Sequence, residues 1–303
     1  MDFLLTLIGA TLRIATPILF AALGESVVEL SGVLNLGIEG TMLLSALSGF
    51  VVAQITGSLF FGLLAAMLTG ILLSLLMGLL SVTLGLNQHV AGLGITLFAS
   101  GFALFAFRLM YGGQTTPPSL TESFPQLSIF PGTPLEPVFS QYAMTYLALL
   151  LVPIMGWMLG STAFGLRLRA IGQNPEAADM AGINIYRMRY YALILGGALM
   201  GLGGAFLSLA QLGAFTHGII NGRGWVAIAI VIFGNWKPVK VLGGALLFGA
   251  LQALQLRLQA EGVALPYELL LALPYLITIL VLALFGRNAS YPAALLKPYR
   301  REG

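Results

Sequence analysis

Charge in this chain is almost confined to short gaps between long apolar runs, and that spacing limits what it can fold into. Runs of about 20 residues with few or no charges recur from one end to the other, the length a helix needs to cross a hydrocarbon layer ~30 Å thick. Of 303 residues, 58% are hydrophobic and 8% charged, with a mean hydropathy of +0.95. A soluble domain carries about 25% charged residues. A globule this apolar has no polar surface to offer water, so lipid is the expected solvent.

The apolar segments are Phe3–Leu23, Ile38–Ile55, Leu59–Leu84, Val90–Tyr111, Tyr142–Leu159, Tyr191–Leu212, the short Trp225–Asn235, Val239–Leu256 and Tyr267–Phe285. They predict an all-α polytopic membrane protein of about nine transmembrane helices, one domain over residues 1–303. Asp2 stands where a cleaved signal has basic residues, and no small-residue cleavage pattern follows, so the first segment is expected to stay as a membrane helix. Arg13 lies inside it and is expected to snorkel or to face the protein interior.

Basic residues set the orientation. The polar loop 161–190 carries Arg167, Arg169, Arg187 and Arg189, which places it in the cytoplasm. Alternation then puts Lys237, Lys240 and the basic tail 286–303 inside. The loop 112–140, rich in proline and free of Lys and Arg, falls outside together with Glu261 and Met1, and Arg223 is the one cation near an outer end. The outer loop reads equally as a lid or docking surface and as a plain surface loop.

Two stretches interrupt the apolar pattern in an informative way. Residues 24–40, GESVVELSGVLNLGIEG, hold Glu25, Glu29, Asn35 and Glu39 among glycines. A connecting loop and a broken, re-entrant helix beside a translocation path are both consistent with it, because irregular backbone at membrane depth is tolerated where it is buried in protein or lines a wet cavity. The second stretch is the cytoplasmic loop. Asn174 can cap a short helix, Pro175 suits its first position, Glu176 and Asp179 complement its dipole, and Gly182 supplies a stop. A short helix between basic flanks suits docking by a soluble partner.

Several chemistries are excluded or disfavoured. No cysteine is present, so thiol catalysis and disulfides are absent. His89 and His217 are far apart and make a metal site unexpected. No phosphate-binding loop, zinc-hydrolase motif or serine-hydrolase elbow occurs, so no cofactor, no catalytic residue and no ATP site are expected on this chain. The pI near 9.3 reflects cations at segment ends rather than a basic face, which argues against nucleic acid. The chain reads as a path without an engine of its own.

Three ordered stretches carry a family resemblance. Glu176-Ala177-Ala178, three residues and Gly182 resemble the EAA---G pattern of bacterial ABC importer permeases. The wider LRLRAIGQNPEAADMAGINIYRMR is similar to the ribose, branched-chain amino acid and nucleoside branch, as are SGVLNLGIEGTMLLSAL at 31–47 and GRGWVAIAIVIFGNWKPVKVLGGALLFG at 222–249. The last two look most like nucleoside importers served by a binding lipoprotein.

The resemblance implies a multi-pass permease of the bacterial plasma membrane. Its expected partners are a cytoplasmic ATPase that binds the ATP, a second and different permease chain, and an extracytoplasmic solute-binding lipoprotein. It assigns ATPase coupling to Pro175, Glu176, Ala177, Ala178, Asp179 and Gly182, with Glu176 and Asp179 facing the ATPase and the two alanines allowing close docking. The four arginines read as orienting flanks or as contacts to that ATPase. Asn35, Glu39, Asn221 and Trp225 are the path candidates, since a nucleoside needs an aromatic face and amide partners; Trp225 also reads as an interfacial anchor. The solute is expected to be a nucleoside. A simple sugar or other small solute in the same family, a stand-alone facilitator and an intramembrane enzyme are the competing readings.

Overall fold

In a computed structural model, the structure describes residues 2–113, 118–122, 124–261, 267–285 and 290–299. The long helices are α1 (Asp2–Leu30), α2 (Ile38–Thr56), α3 (Leu59–Gly78), α4 (Gln88–Tyr111), α6 (Ala143–Ser161), α9 (Ile185–Ala205), α11 (Pro238–Ala260) and α12 (Tyr267–Phe285). Shorter ones are α5 (Glu136–Phe139), α7 (Ala163–Gln173), α8 (Pro175–Met180) and α10 (Arg223–Phe233). Wider π turns, Leu79–Thr83 and Phe206–Gln211, prolong α3 and α9. In the outer loop, Gln126–Ser128 (β1) pairs antiparallel with Ser140–Tyr142 (β2).

Each of the expected apolar segments is a helix. Seven helices among the described residues are long and apolar enough to cross a membrane. Polar caps set several starts: Asn87 Oδ1 accepts from His89 N (2.9 Å), Asn184 Oδ1 from Arg187 N (3.0 Å) and Thr162 Oγ1 from Gly165 N (3.2 Å). Inside the membrane, hydroxyls fold back on their own helix, as Ser26 does to Ala22 O and Ser81 to Met77 O (both 2.7 Å). Such bonds satisfy a donor that lipid cannot.

The bundle is organised around α9, of whose most apolar stretch 83% is buried, against 28% for α4. Its glycines explain this. A methyl group added to Gly70 of α3 would sit 2.1 Å from Gly197 O, and one added to Gly201 would sit 2.5 Å from Ala66 O. The Gly197 and Gly201 pair, four residues apart on one face of α9, therefore works by bringing two backbones into direct contact.

The two ends of the bundle are distinguishable. Contrary to expectation, Arg223 is not the one cation near the outer end: there Arg257 of α11 donates to Thr6 Oγ1 (2.7 Å) and lies over the Phe3 ring, and Glu261 pairs with Arg257 at 3.7 Å. Outer-loop residues Leu120 and Phe124 donate to Gly213 O (2.7 Å) and Leu209 O (3.3 Å) at the end of α9. At the cytoplasmic end residues 290–299 lie against α7 and α9, with Ala294 N donating to Gly172 O at 2.8 Å. Met1, residues 286–289 with Arg287, and residues 300–303 with Arg300 and Arg301 lie outside the described residues, as do 114–117 and 123 of the outer loop.

Three expectations are corrected. The first helix does not end at Leu23. It runs to Leu30, so Gly24, Glu25 and Glu29 are helical and the break is confined to residues 31–37. Gly24 survives mid-helix because α9 crosses there: an added methyl would meet Gly196 O at 2.7 Å. The sixth segment starts at Ile185, not Tyr191, so Arg189 is inside the helix, 1% exposed, and is neither a solvated flank nor an ATPase contact. The cytoplasmic loop holds a second helix, α7, whose apolar face (Leu168, Ile171) is buried.

Candidate translocation path and coupling surface

The interruption at residues 31–37 turns back into the bundle. Asn35 N donates to Glu25 Oε1 (2.8 Å), and Asn35 Oδ1 accepts from Gly37 N (3.0 Å) just before α2 begins. Leu34 N donates to Gln88 Oε1 (2.8 Å) at the start of α4. Gly40 packs against Thr96, eight residues into α4, so α2 starts about 12 Å inside the cytoplasmic end of α4 at 1.5 Å per residue.

A second interruption comes from the other side. Residues 212–222 leave the outer end of α9, and α10 begins where α2 begins. The Glu39 carboxylate joins the two starts, accepting from Gly222 N (2.8 Å) and Gly224 N (2.7 Å). An anion at a helix N-terminus is favoured by both the free N–H groups and the dipole. With 11 residues α10 is about 16 Å long, half a membrane. It carries the chain to Trp236, whose indole Nε1 donates to Glu29 Oε2 (2.7 Å) near the cytoplasmic end of α1.

The path candidates thus separate. Asn35 is 1% exposed, with its backbone and side chain committed to the turn. Glu39 is committed to α10. Asn221 and Trp225 are exposed beside this junction, Trp225 at 38%. Tyr275 of α12, exposed, donates from its hydroxyl to Asn221 O (3.0 Å) and completes a polar, aromatic patch. Arg223, expected near the outer end, is at this depth instead, where its Nη1 donates to Ile219 O and Ile220 O (both 3.0 Å). Ile219 O belongs to irregular backbone outside any helix, so the side chain supplies it with a donor, whereas Ile220 O also accepts from Arg223 N (3.2 Å).

Sequence reasoning missed the second interruption, Tyr275 and Trp236. One signal was available for the first of these. Gly32-Val33-Leu34-Asn35 before α2 is echoed by Gly218-Ile219-Ile220-Asn221 before α10, and the two segments enter the bundle from opposite sides. Nothing in the sequence marks Trp236, which sits at φ +56 after Asn235 at φ +51.

At the cytoplasmic face the expected short helix is present. Asn174 Oδ1 accepts from Ala177 N (3.0 Å), with Pro175 next. Gly182, at φ +81, ends it: Gly182 N donates to Asp179 O (2.8 Å) and Ile183 N to Ala178 O (3.0 Å), a Schellman closure. Glu176, Ala177 and Met180 are exposed, the last at 84%, whereas Ala178 is buried. Asp179 is half-buried and accepts from the Tyr299 hydroxyl (2.9 Å), so it holds the tail. A groove of about 450 Å³ runs between Asn174-Pro175-Glu176 and Lys297-Pro298-Tyr299. Among the described residues no group of three or more His, Cys, Asp or Glu could hold a metal ion.

Interrupted helices that meet at mid-depth, with a capped helix displayed at the cytoplasmic face, define an integral membrane transport subunit. The chain belongs to the family described as branched-chain amino acid transport system / permease component, whose model matches residues 7–282. It is a multi-pass ABC transporter permease subunit. Among its relatives, a putative glucose ABC transporter permease protein of Haloferax volcanii is 38% identical, covering 100% of this chain and 99% of the relative. A guanosine ABC transporter permease protein of Bacillus subtilis is 36% identical over 97% and 96% of the two chains. A nucleoside ABC transporter permease protein of Lactococcus lactis is 34% identical over 92% of each. In each of these organisms a second permease with the same printed solute is similar at a lower level, 28%, 26% and 24% identical respectively. No solved structure matches.

Proposed function

We propose that this chain is one half of the membrane path of an ATP-driven nucleoside importer. The observation that carries the reading is the exposed Asn221–Trp225–Tyr275 patch at the mid-depth start of α10. A patch with amide, phenol and indole groups is costly against lipid and suits a wet path. A base stacks on an aromatic face and bonds to an amide. Relatives with guanosine and nucleoside in their printed names support the solute class.

ATP is bound and hydrolysed on a separate cytoplasmic subunit, which grips α8 through the exposed Glu176, Ala177 and Met180, with Pro175 and Gly182 fixing the helix ends. Asp179 and Ala178 support α8 from within. The second permease is a different chain, a reading supported by the paired, unequal relatives in all three organisms. An extracytoplasmic binding protein delivers the solute to the outer face.

A sugar is the second reading, favoured by the 38% identical relative with glucose in its printed name. The test is uptake of labelled guanosine, adenosine, uridine and glucose by cells that lack their own uptake systems and express this chain with its ATPase, second permease and binding protein. Energy-dependent nucleoside uptake supports the proposal; uptake of glucose alone replaces it with the sugar reading. Transport by this chain alone in liposomes, without ATPase, makes it a facilitator.

A further inference from the structure

Arg189 is the largest side chain that is fully buried in the described protein. Its guanidinium has no carboxylate within ion-pair reach among the described residues. Two of its donors reach backbone carbonyls of two other segments: Nε donates to Ser31 O (3.2 Å) and Nη2 to Lys297 O (3.5 Å). Ser31 O lies at the C-terminal end of α1, where the helix dipole favours a cation. Nη2 is also 3.0 Å from where a side chain on Gly32 would begin, so the guanidinium fills the space that the left-handed Gly32 (φ +89) leaves open.

A buried charge without a counter-ion is an expensive way to fill space, and an apolar side chain would pack there at lower cost. What the planar fork adds is a hold on two separate backbones at once. Those backbones matter. One is the first residue after α1, where the broken segment starts. The other is the tail, which Tyr299 ties to Asp179 of α8 (2.9 Å). Arg189 itself is in the second turn of α9, which begins three residues after Gly182 ends α8.

We infer that Arg189 is the positioning residue that transmits displacement of α8 to the broken segment 31–37, and through Glu39 to the start of α10. The series runs from Lys297 O to Arg189 (3.5 Å, its longest joint), from Arg189 to Ser31 O (3.2 Å), from Asn35 N to Glu25 (2.8 Å), and from Glu39 to Gly222 N and Gly224 N (2.8 and 2.7 Å). The inference rests on the ATPase-coupling reading of α8.

The test uses the whole transporter with its ATPase, second permease and binding protein in liposomes, and compares Arg189→Met, Arg189→Gln and Arg189→Lys with the parent. Co-purification of the ATPase, the rate of ATP hydrolysis and the nucleoside moved per ATP are read separately. The expected result is normal co-purification, hydrolysis within about twofold of the parent, and transport per ATP lower by about tenfold in Arg189→Met, a size usual for coupling between sites. Arg189→Lys and Arg189→Gln, which reach one carbonyl but not two, recover part of it. A merely structural role lowers the amount of transporter and leaves the ratio alone. An unchanged ratio in Arg189→Met overturns the inference, as does failure of all three variants to insert. A parent chain that does not bind the ATPase removes the coupling reading itself, a separate outcome.

Discussion

Trp236 donates its indole N–H to the Glu29 carboxylate across 2.7 Å, although 207 residues separate them in sequence. The bond fixes the exit of the half-length α10 against the end of α1. Glu29 lies one turn from Glu25 on α1, and both are buried. Among the described residues, no group outside this pair donates to Glu29 Oε1 or Glu25 Oε2. Glu29→Gln keeps an acceptor for Trp236 and adds an N–H for the oxygen of Glu25. It is expected to retain near-parental thermal stability in detergent. Glu29→Ala leaves the indole N–H unsatisfied and is expected to lose about 1–3 kcal/mol, read as a lower unfolding temperature. Equal losses in both variants would show that the bond contributes nothing.

Glu39 holds two N–H groups at the start of α10. Glu39→Ala frees both and removes the anion from the helix end. Nucleoside uptake is expected to fall by at least about tenfold while membrane insertion, measured by the yield of folded chain, is kept, since the loss is of position rather than packing. Glu39→Gln, with one good acceptor left, falls between. Parental uptake by Glu39→Ala would mean that α10 is placed by its packing alone.

Trp225 and Asn35 are expected to respond differently. Trp225→Ala removes an exposed aromatic face and should raise the nucleoside concentration for half-maximal uptake by about tenfold with stability unchanged. Asn35→Ala removes the acceptor for Gly37 N and should lower stability by about 1 kcal/mol. Unchanged uptake kinetics in Trp225→Ala would remove it from the path.

Glu176→Lys reverses the charge of an exposed α8 residue. Gly182→Trp places a large side chain at φ +81, where L side chains are strained, although the space around it is open. Both are expected to abolish solute-stimulated ATP hydrolysis in the assembled transporter while the chain still inserts. Normal stimulation in either would place the ATPase elsewhere on the cytoplasmic face.

Much of this architecture was legible from hydropathy, because in lipid every long apolar run must form a helix. The cap and stop of α8 were legible for the same local reason: Asn174, Pro175 and Gly182 act within a few residues of themselves. What was not legible depends on partners distant in sequence. Gly24 looks like a helix breaker until Gly196 is set against it. Arg189 looks like one more orienting cation until Ser31 and Lys297 surround it. Glu39 looks like a solute ligand until the N–H groups of Gly222 and Gly224 occupy both its oxygens. A buried polar residue takes its role from what it meets, and spacing along the chain does not record that.

The glycine seams of α9 have a mechanical consequence. Where Gly70 faces Gly197 and Gly24 faces Gly196, backbone rests on backbone, with the short side chains of Ser74 and Val28 packed beside it. α1 and α3 can therefore neither slide nor roll along α9 without collision. The three form a stiff beam from one face of the membrane to the other. A push at one end of such a beam arrives at the other as tilt, so the hinges of the transporter belong at its margins, where the half-length α10 and α12 lie.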